Sequence, residues 1–256
     1  MKISVITATY DSASTVEDTI KSVLSQTYPD IEYIVVDGAS KDGTMDIVRK
    51  YEPMFNGRMK WVSEKDKGIY DALNKGVKMA TGEVVGFLNS DDFFKSDDAI
   101  ERVAKEFEND PDLGCTYADL CFVDRDNTKK IVRYYSAKRW KPEKVRYGQI
   151  PPHPTFYCKK RIYDVLGGYR LDFKIAADHE LITRFVYVNK IKYKYIPINM
   201  VCMRVGGLST GDWKNVLIVN NMEQAKACRV NNVYSNLFMV MFKYIPKIKD
   251  LIFHKK

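Results

Sequence analysis

The sequence predicts an α/β protein with a mainly parallel central sheet flanked by helices and a helical extension at its C-terminal end. Two observations carry that prediction. Apolar, β-branched runs alternate with segments of helical spacing from Ile3 to Leu88, in the order β-α-β-α-β-α-β. The last of these runs, Glu83 to Leu88, closes on Asn89-Ser90-Asp91-Asp92, so adjacent carboxylates fall at the strand-end edge where open α/β sheets bind ligands.

The elements follow in order. Ile3 to Thr7 is a β-branched run, and Ser14-Thr15-Val16-Glu17 matches a capping box. Val16, Ile20, Val23 and Leu24 then recur at helical spacing until Tyr28-Pro29-Asp30 interrupts them. Ile31 to Val36 is a second buried strand, ended by the turn-forming Asp37-Gly38-Ala39-Ser40-Lys41-Asp42-Gly43. Ile47, Val48 and Tyr51 share a helix face, Met59 to Ser63 is the next strand, and a helix from Ile69 to Ala80 stops at Thr81-Gly82. Ser96, Asp97 and Asp98 have the composition of a helix cap.

The second half is less regular. Gly114 to Val123 and Lys130 to Tyr135 read as a hairpin across Asp124-Arg125-Asp126-Asn127. Pro151-Pro152-His153-Pro154 excludes a helix and leads into a strand from Thr155 to Cys158. Asp178 to Val188 is a helix candidate, and Lys192 to Arg204 is expected to form two short strands broken by Pro197.

Composition narrows the classes. The chain has 256 residues, 45% of them hydrophobic and 29% charged, which suits one large globular domain or one domain with an extension. No apolar run approaches the roughly 20 residues of a membrane span, and Met1 to Ile6 enters a strand pattern without a secretory leader. Cys115, Cys121, Cys158, Cys202 and Cys228 are scattered and lack a C-x-x-C pair, so they are expected as reduced thiols of a cytoplasmic protein. The net charge of +8 suits an anionic lipid or a phosphorylated substrate; nucleic acid is disfavoured because no recognition motif accompanies the charge. Adjacent carboxylates such as Asp91 and Asp92 can hold a divalent cation that in turn holds a diphosphate, although a polar loop capping the next helix is the plainer alternative.

Several segments in order resemble the family 2 glycosyltransferases, inverting enzymes of GT-A fold that assemble bacterial surface polysaccharides. They are Ile6-Thr7-Ala8-Thr9-Tyr10, Ser22 to Tyr28, Val35 to Ser40 with Asp42-Gly43-Thr44, Ser63 to Gly76, the Asn89 to Asp92 turn, Gly167-Gly168-Tyr169 and Ile175 to Leu181. The likeness runs over about residues 1 to 210 and is nearest to enzymes of colanic acid and related exopolysaccharide assembly. It implies a GT-A (nucleotide-diphospho-sugar transferase) domain over 1–210, split into a nucleotide-binding half (1–95) and an acceptor half (96–210), with a basic amphipathic helical extension over 211–256.

The resemblance also implies roles. Ala8 and Tyr10 would flank the nucleobase, and Asp37 would meet base or ribose unless it merely caps its turn. The backbone amides of Asp66-Lys67-Gly68 and the lysine itself would face phosphate, with Asn74 completing the string. Asn89 stands where the family commonly has Asp; it and Ser90 would touch the donor, leaving Mg²⁺ or Mn²⁺ to Asp91 and then Asp92. Asp178 would be the general base, its plain alternative being a helix cap. His153, His179 and Glu180 would contact the acceptor, and Gly206 to Ser209 would close over the donor. Ala177 departs from the Glu of many relatives.

The function so implied is metal-dependent, inverting sugar transfer from a nucleotide-diphosphate sugar, UDP-linked as the first guess, to a saccharide acceptor carried on lipid. Alternatives are a sugar-phosphate nucleotidyltransferase, which would need a glycine-rich phosphate loop that Thr7 to Asp11 does not supply, and a non-catalytic sugar-nucleotide-binding protein. From Ser235 on, Phe238, Met241, Ile245, Ile248 and Ile252 recur at helical spacing beside Lys243, Lys247, Lys249, Lys255 and Lys256, with Pro246 kinking the run. That pattern suits an anionic membrane surface, hence a peripheral enzyme on the inner face of the cytoplasmic membrane; packing on the domain is the alternative.

Overall fold

The computed structural model describes residues 1–206 and 213–244. The first part runs β1 (Ile3–Thr9), α1 (Val16–Leu24), β2 (Ile31–Asp37), α2 (Thr44–Tyr51), β3 (Met59–Ser63), α3 (Ile69–Met79), β4 (Val84–Phe87). β1 and β2 are buried at every position. Strands covered on both faces read as continuous apolar runs, which is why no alternation marks them in the sequence. β1 pairs in parallel with β2 and β4, and β2 with β3, so the ends of four strands share one edge.

The chain continues through β5 (Phe93–Phe94), α4 (Ala99–Asn109), β6 (Cys115–Val123), β7 (Ile131–Tyr135), β8 (Tyr157–Lys159), α5 (Lys160–Leu166), α6 (Ala177–Ile182), β9 (Tyr193–Arg204), α7 (Trp213–Val230) and α8 (Leu237–Met241). The sheet has the order β3-β2-β1-β4-β8-β6-β9-β5, with β7 a hairpin partner of β6. Beyond β4 the pairing is mixed: β8 is antiparallel to β4 and β6, whereas β9 is parallel to β6. The crossing from β4 to β8 is tight, since a Cβ on Gly86 would lie 2.1 Å from the Tyr157 ring.

Four local expectations change. The capping box does not form: Thr15 is the N-cap of α1 without a side-chain bond, and Glu17 instead accepts from the Tyr51 hydroxyl at 2.6 Å and Lys50 at 3.1 Å. Tertiary donors outcompete the local amide. Asp98 likewise flanks α4 without capping it, because Ser96 and Arg102 each donate to its carboxylate at 2.7 Å. The proline run forms a short 3₁₀ turn at His153–Thr155 before β8 begins at Tyr157. Finally, Lys192 to Arg204 gives one strand, because Pro197 is accommodated in a bulge: Ile196 pairs with Ala118 and Asn199 with Asp119.

Two compact units divide the chain. The described residues of 1–138, 151–169 and 191–206 contain the whole sheet. Those of 139–150, 170–190 and 213–244 form a helical unit in which α6 packs on α7 and α7 on α8. α6 passes into a π-helical turn at Thr183–Val188. All five cysteines are free and buried, with Cys121 and Cys202 neighbours across β6 and β9 at 3.2 Å between sulfurs.

Candidate active site

In the sheet-bearing unit the strand ends gather most of the residues singled out from the sequence. Ala8 is buried on β1, while the Tyr10 ring just beyond it is 61% exposed. Gly38, after β2, permits a close meeting there: a Cβ would lie 2.8 Å from Asp66 Oδ2 and 3.2 Å from the Tyr10 ring. Asp37 is fully buried. Its Oδ2 accepts from the Ser40 amide at 3.0 Å and the Ser63 hydroxyl at 2.6 Å, and its Oδ1 accepts from the Ser40 hydroxyl. Asp37 therefore locks the ends of β2 and β3 and the loop carrying Gly38 into one arrangement.

The Asp66-Lys67-Gly68 turn differs from expectation. The Lys67 amide donates to Asp71 Oδ2 at 3.0 Å and the Gly68 amide to Asp66 Oδ1 at 2.8 Å, so carboxylates of the chain already occupy both amides. The exposed Lys67 side chain remains to meet a phosphate. Asn74 is similarly committed, donating to the Tyr169 carbonyl and accepting from the Tyr169 amide, both at 2.8 Å. That pairing explains Gly168, where a Cβ would come within 2.2 Å of Asn74 Oδ1. Asn74 thus holds Tyr169 rather than offering its amide to a ligand.

The acidic turn after β4 is clamped from several elements. Ser90 shares a 2.9 Å hydrogen bond with Ser12, beyond β1, and Thr19 of α1 donates to the Asp92 carbonyl at 2.6 Å. Arg204, at the end of β9, donates to the Asp91 carbonyl at 2.5 Å, pairs with Asp18 and lies over the Phe93 ring at 5.2 Å. The two aspartates diverge. Asp92 is 1% exposed and accepts from the Asn89 side chain at 2.9 Å. Burial, reinforced by the nearby Asp91 charge, pushes its carboxyl well above the ordinary range. Asp91 is half-buried and its carboxylate takes no hydrogen bond from the described residues. Asp92 and Asn89, expected as metal and donor contacts, instead support each other beneath the turn.

A divalent cation fits this turn in one way. Among the described residues no cluster of three or more His, Cys, Asp or Glu side chains is arranged to hold a metal. A hard cation that takes one protein carboxylate and fills its shell with phosphate oxygens and water needs no such cluster, and Asp91 has a carboxylate to spare. His153 is not part of that set. It stacks on Phe87 with ring centroids 5.2 Å apart and shares a 2.6 Å hydrogen bond with the Tyr169 hydroxyl. Burial lowers its pKa to about 4, so it is neutral at neutral pH and serves to hold Tyr169 in place of an acceptor.

In the helical unit Asp178 is the second residue of α6, with Ala176 at the N-cap position. Its Oδ1 accepts from the His179 amide at 2.7 Å. Burial raises its carboxyl to about 6, and the Glu223 charge adds to the effect. A carboxylate poised there is suited to accept a proton near neutral pH. The neighbours expected at an acceptor face inward: His179 donates through Nε2 to the Val145 carbonyl at 2.9 Å, and Glu180 takes a two-pronged pairing from Arg184 at 2.9 and 2.8 Å. Both are 1% exposed, so packing assigns them to the core of the unit. Of the loop from Gly206 to Ser209, Gly206 has φ +96° and its carbonyl accepts from Arg125 at 3.2 Å; Gly207, Leu208 and Ser209 lie outside the described residues. Arg204, Thr19 and Glu223 were not anticipated, because each acts through backbone groups and leaves no pattern of spacing; Ser12 was not anticipated because its partner Ser90 is distant in sequence.

Residues 4–165 match the family described as glycosyl transferase family 2, and the chain belongs to that family. It is 32% identical over 188 residues to an uncharacterized glycosyltransferase of Mycobacterium tuberculosis, covering 73% of this chain and 69% of the relative. Solved structures share the fold. S. aureus TarS 1–349 in complex with UDP-GlcNAc aligns over 100% of this chain and 76% of that one, with a TM-score of 0.66 at 18% identity. The mannosyltransferase PcManGT from Pyrobaculum calidifontis, in complex with GDP-Man and Mn2+, aligns over 89% of this chain and 64% of that one, with a TM-score of 0.67 at 23% identity. The chain spans only 39% of the longer TarS structure. It is a glycosyltransferase of GT-A fold.

Proposed function

We propose that this glycosyltransferase moves a sugar, with inversion, from a nucleotide-diphosphate donor to a hydroxyl of a saccharide acceptor, with Asp91 as the metal-binding carboxylate and Asp178 as general base. One observation carries the reading: a turn clamped by Ser12, Thr19 and Arg204 presents a single uncommitted carboxylate, Asp91, at the end of β4. The solved structures in complex with UDP-GlcNAc and with GDP-Man and Mn2+ support a nucleotide-sugar donor and a divalent cation.

The residues would divide the work. Tyr10 offers an exposed ring to the nucleobase beside Gly38, on the loop that Asp37 holds. The Lys67 ammonium is an available cation for the donor phosphates. Mg²⁺ or Mn²⁺ bound at Asp91 would neutralise the leaving diphosphate. Asp178, ionised above about pH 6, accepts the proton of the attacking hydroxyl as its oxygen bonds to the anomeric carbon and the bond to diphosphate breaks.

The acceptor is proposed to be lipid-linked and the enzyme peripheral on the inner face of the cytoplasmic membrane. Tyr234, Leu237, Phe238, Met241 and Phe242 are exposed apolar residues around α8, which supports contact with an anionic bilayer. No described helix is long and apolar enough to cross a membrane. Residues from Ile245 onward, which carry the rest of the amphipathic pattern, lie outside the described residues.

The test is a panel of UDP-, GDP- and TDP-sugars scored for nucleotide release with Mg²⁺, Mn²⁺ or EDTA, and for thermal stabilisation. Release that survives EDTA would remove the metal from the mechanism. Full transfer by both Asp91→Ala and Asp178→Asn would end the proposal. Co-sedimentation with vesicles containing anionic lipid, lost in Phe238→Ser/Phe242→Ser, tests the membrane contact.

A further inference from the structure

The short helix that carries Asp178 begins without a cap of its own. Ala176 stands at its N-cap position and has no side-chain oxygen to offer the turn. The missing acceptor comes from another helix. Glu223 of α7 receives the amides of Lys174 at 2.8 Å through Oε1 and of Ile175 and Ala176 at 2.8 and 2.9 Å through Oε2. Three consecutive amides converging on one carboxylate fix the path of the chain immediately before Ala177 and Asp178.

We propose that Glu223 is the positioning residue of the general base: it holds the 174–176 turn and so sets where the Asp178 carboxylate sits. The proposal rests on Asp178 being the base. The charge of the same group acts in support, since one carboxylate disfavours ionisation of a second. The direction of the Asp178 shift agrees, with burial first and Glu223 second among what raises it.

Several other charges of the helical unit pair among themselves. Lys226, one turn along α7, pairs with Asp172, which also binds Arg170. Glu180 and Arg184 neutralise each other. His179 is held neutral by burial against the Val145 carbonyl, and the Arg146 Nε donates to the Tyr234 carbonyl. Lys243 donates to Gln224. Removing the Glu223 charge leaves these pairs in place.

The experiment compares the full chain with Glu223→Gln, Glu223→Asp and Asp178→Asn. Activity is nucleotide release from whichever of UDP-GlcNAc, UDP-glucose, UDP-galactose and GDP-mannose the wild type turns over best, from pH 5 to 9. In parallel, the Asp178 carboxyl is titrated by carbon NMR, its resonance assigned by loss in Asp178→Asn. Glu223→Gln removes the charge and leaves one carbonyl oxygen to accept, its NH2 replacing the second acceptor of the turn. It is expected to lower kcat about tenfold or more with donor KM unchanged. It also moves both the acidic limb of the profile and the Asp178 titration to lower pH. Glu223→Asp, which restores the charge, returns both toward the wild type. An unmoved Asp178 titration and an unmoved acidic limb in Glu223→Gln overturn the proposal. Full activity in Asp178→Asn would instead strike the general-base reading, and the NMR titration would still report whether Glu223 acts on Asp178.

Discussion

Asn89 donates its side-chain amide to the buried Asp92 carboxylate at 2.9 Å, and this pairing leaves Asp91 as the carboxylate of the turn that faces no partner among the described residues. Adjacent aspartates thus have opposite occupations. One is a support under the turn and the other is available to a ligand. Asp91→Asn is expected to reduce activity by at least about a hundredfold, with a melting temperature close to wild type, because it removes charge from a site that stabilises nothing when empty. Asp92→Asn, near-isosteric with a carboxyl already held toward its neutral form, should lose less activity and keep or gain stability at neutral pH. Nucleotide-release rates alongside thermal melts separate the two, and equal activity losses would contradict the assignment.

Arg204 acts on the same turn from behind. It is 7% exposed and reaches the Asp91 carbonyl, the Asp18 carboxylate and the Phe93 ring. Arg204→Met keeps much of the volume but strands a carbonyl and removes the fork. The expected cost is about 1.5–3 kcal/mol of stability, as for hydrogen bonds to charged groups. The half-saturating Mn²⁺ concentration should also rise several-fold as the turn loosens. Urea melts and Mn²⁺ titrations of nucleotide release measure the two effects.

At the Asp66-Lys67-Gly68 turn, the chain's own carboxylates occupy the Lys67 and Gly68 amides, and the Lys67 side chain stays exposed to donor phosphate. Lys67→Met should raise donor KM about two- to fivefold, the scale of one screened charge contact, without changing the melting temperature. Asp71→Asn should weaken the turn and lower stability by about 1 kcal/mol. If Lys67→Met left KM unchanged, the phosphates would be bound elsewhere.

Much of this fold was legible because its determinants are local. β1, β2 and β4 are continuous apolar runs, and Thr81-Gly82 stops α3 where a turn signal is needed. The two cap expectations that failed share a cause. Glu17 and Asp98 each have a local capping role written in the sequence, yet each found a stronger partner: Tyr51 from another helix and Arg102 one turn on. Pro197 misled for the related reason that a bulge absorbs a proline where a straight strand would break. Arg204 and Glu223 escaped notice because a side chain that serves backbone groups has no required spacing to its partners.

Two buried histidines and two buried aspartates shape the response to acid. His153 and His179 are both lowered from the ordinary 6.5 to about 4 by burial, so the unfolded chain binds their protons first as pH falls. Each therefore favours folding above about pH 6.5 and loses that contribution as pH falls toward about 4, by at most about 3 kcal/mol apiece at 1.36 kcal/mol per unit. Asp178 works in the opposite sense. Its carboxyl is raised from 3.8 to about 6, so the folded chain holds that proton more tightly and gains stability over nearly the same fall in pH. Asp92, raised by burial well above the ordinary carboxyl range, acts in the same sense as Asp178, so the imidazoles and the buried carboxyls oppose each other. The imidazole contribution is expected to fall by about 2–3 kcal/mol for each histidine between pH 7 and pH 4.5. His179→Gln, whose amide can still donate to the Val145 carbonyl, should remove its own share of that fall. Asp178→Asn should lose more stability than the wild type over the same range, because the compensating proton is gone, and should be more stable than the wild type at pH 8. Urea denaturation at half-unit pH intervals gives all three slopes. Identical slopes in His179→Gln and the wild type would show that the buried imidazole is not what couples this fold to acid.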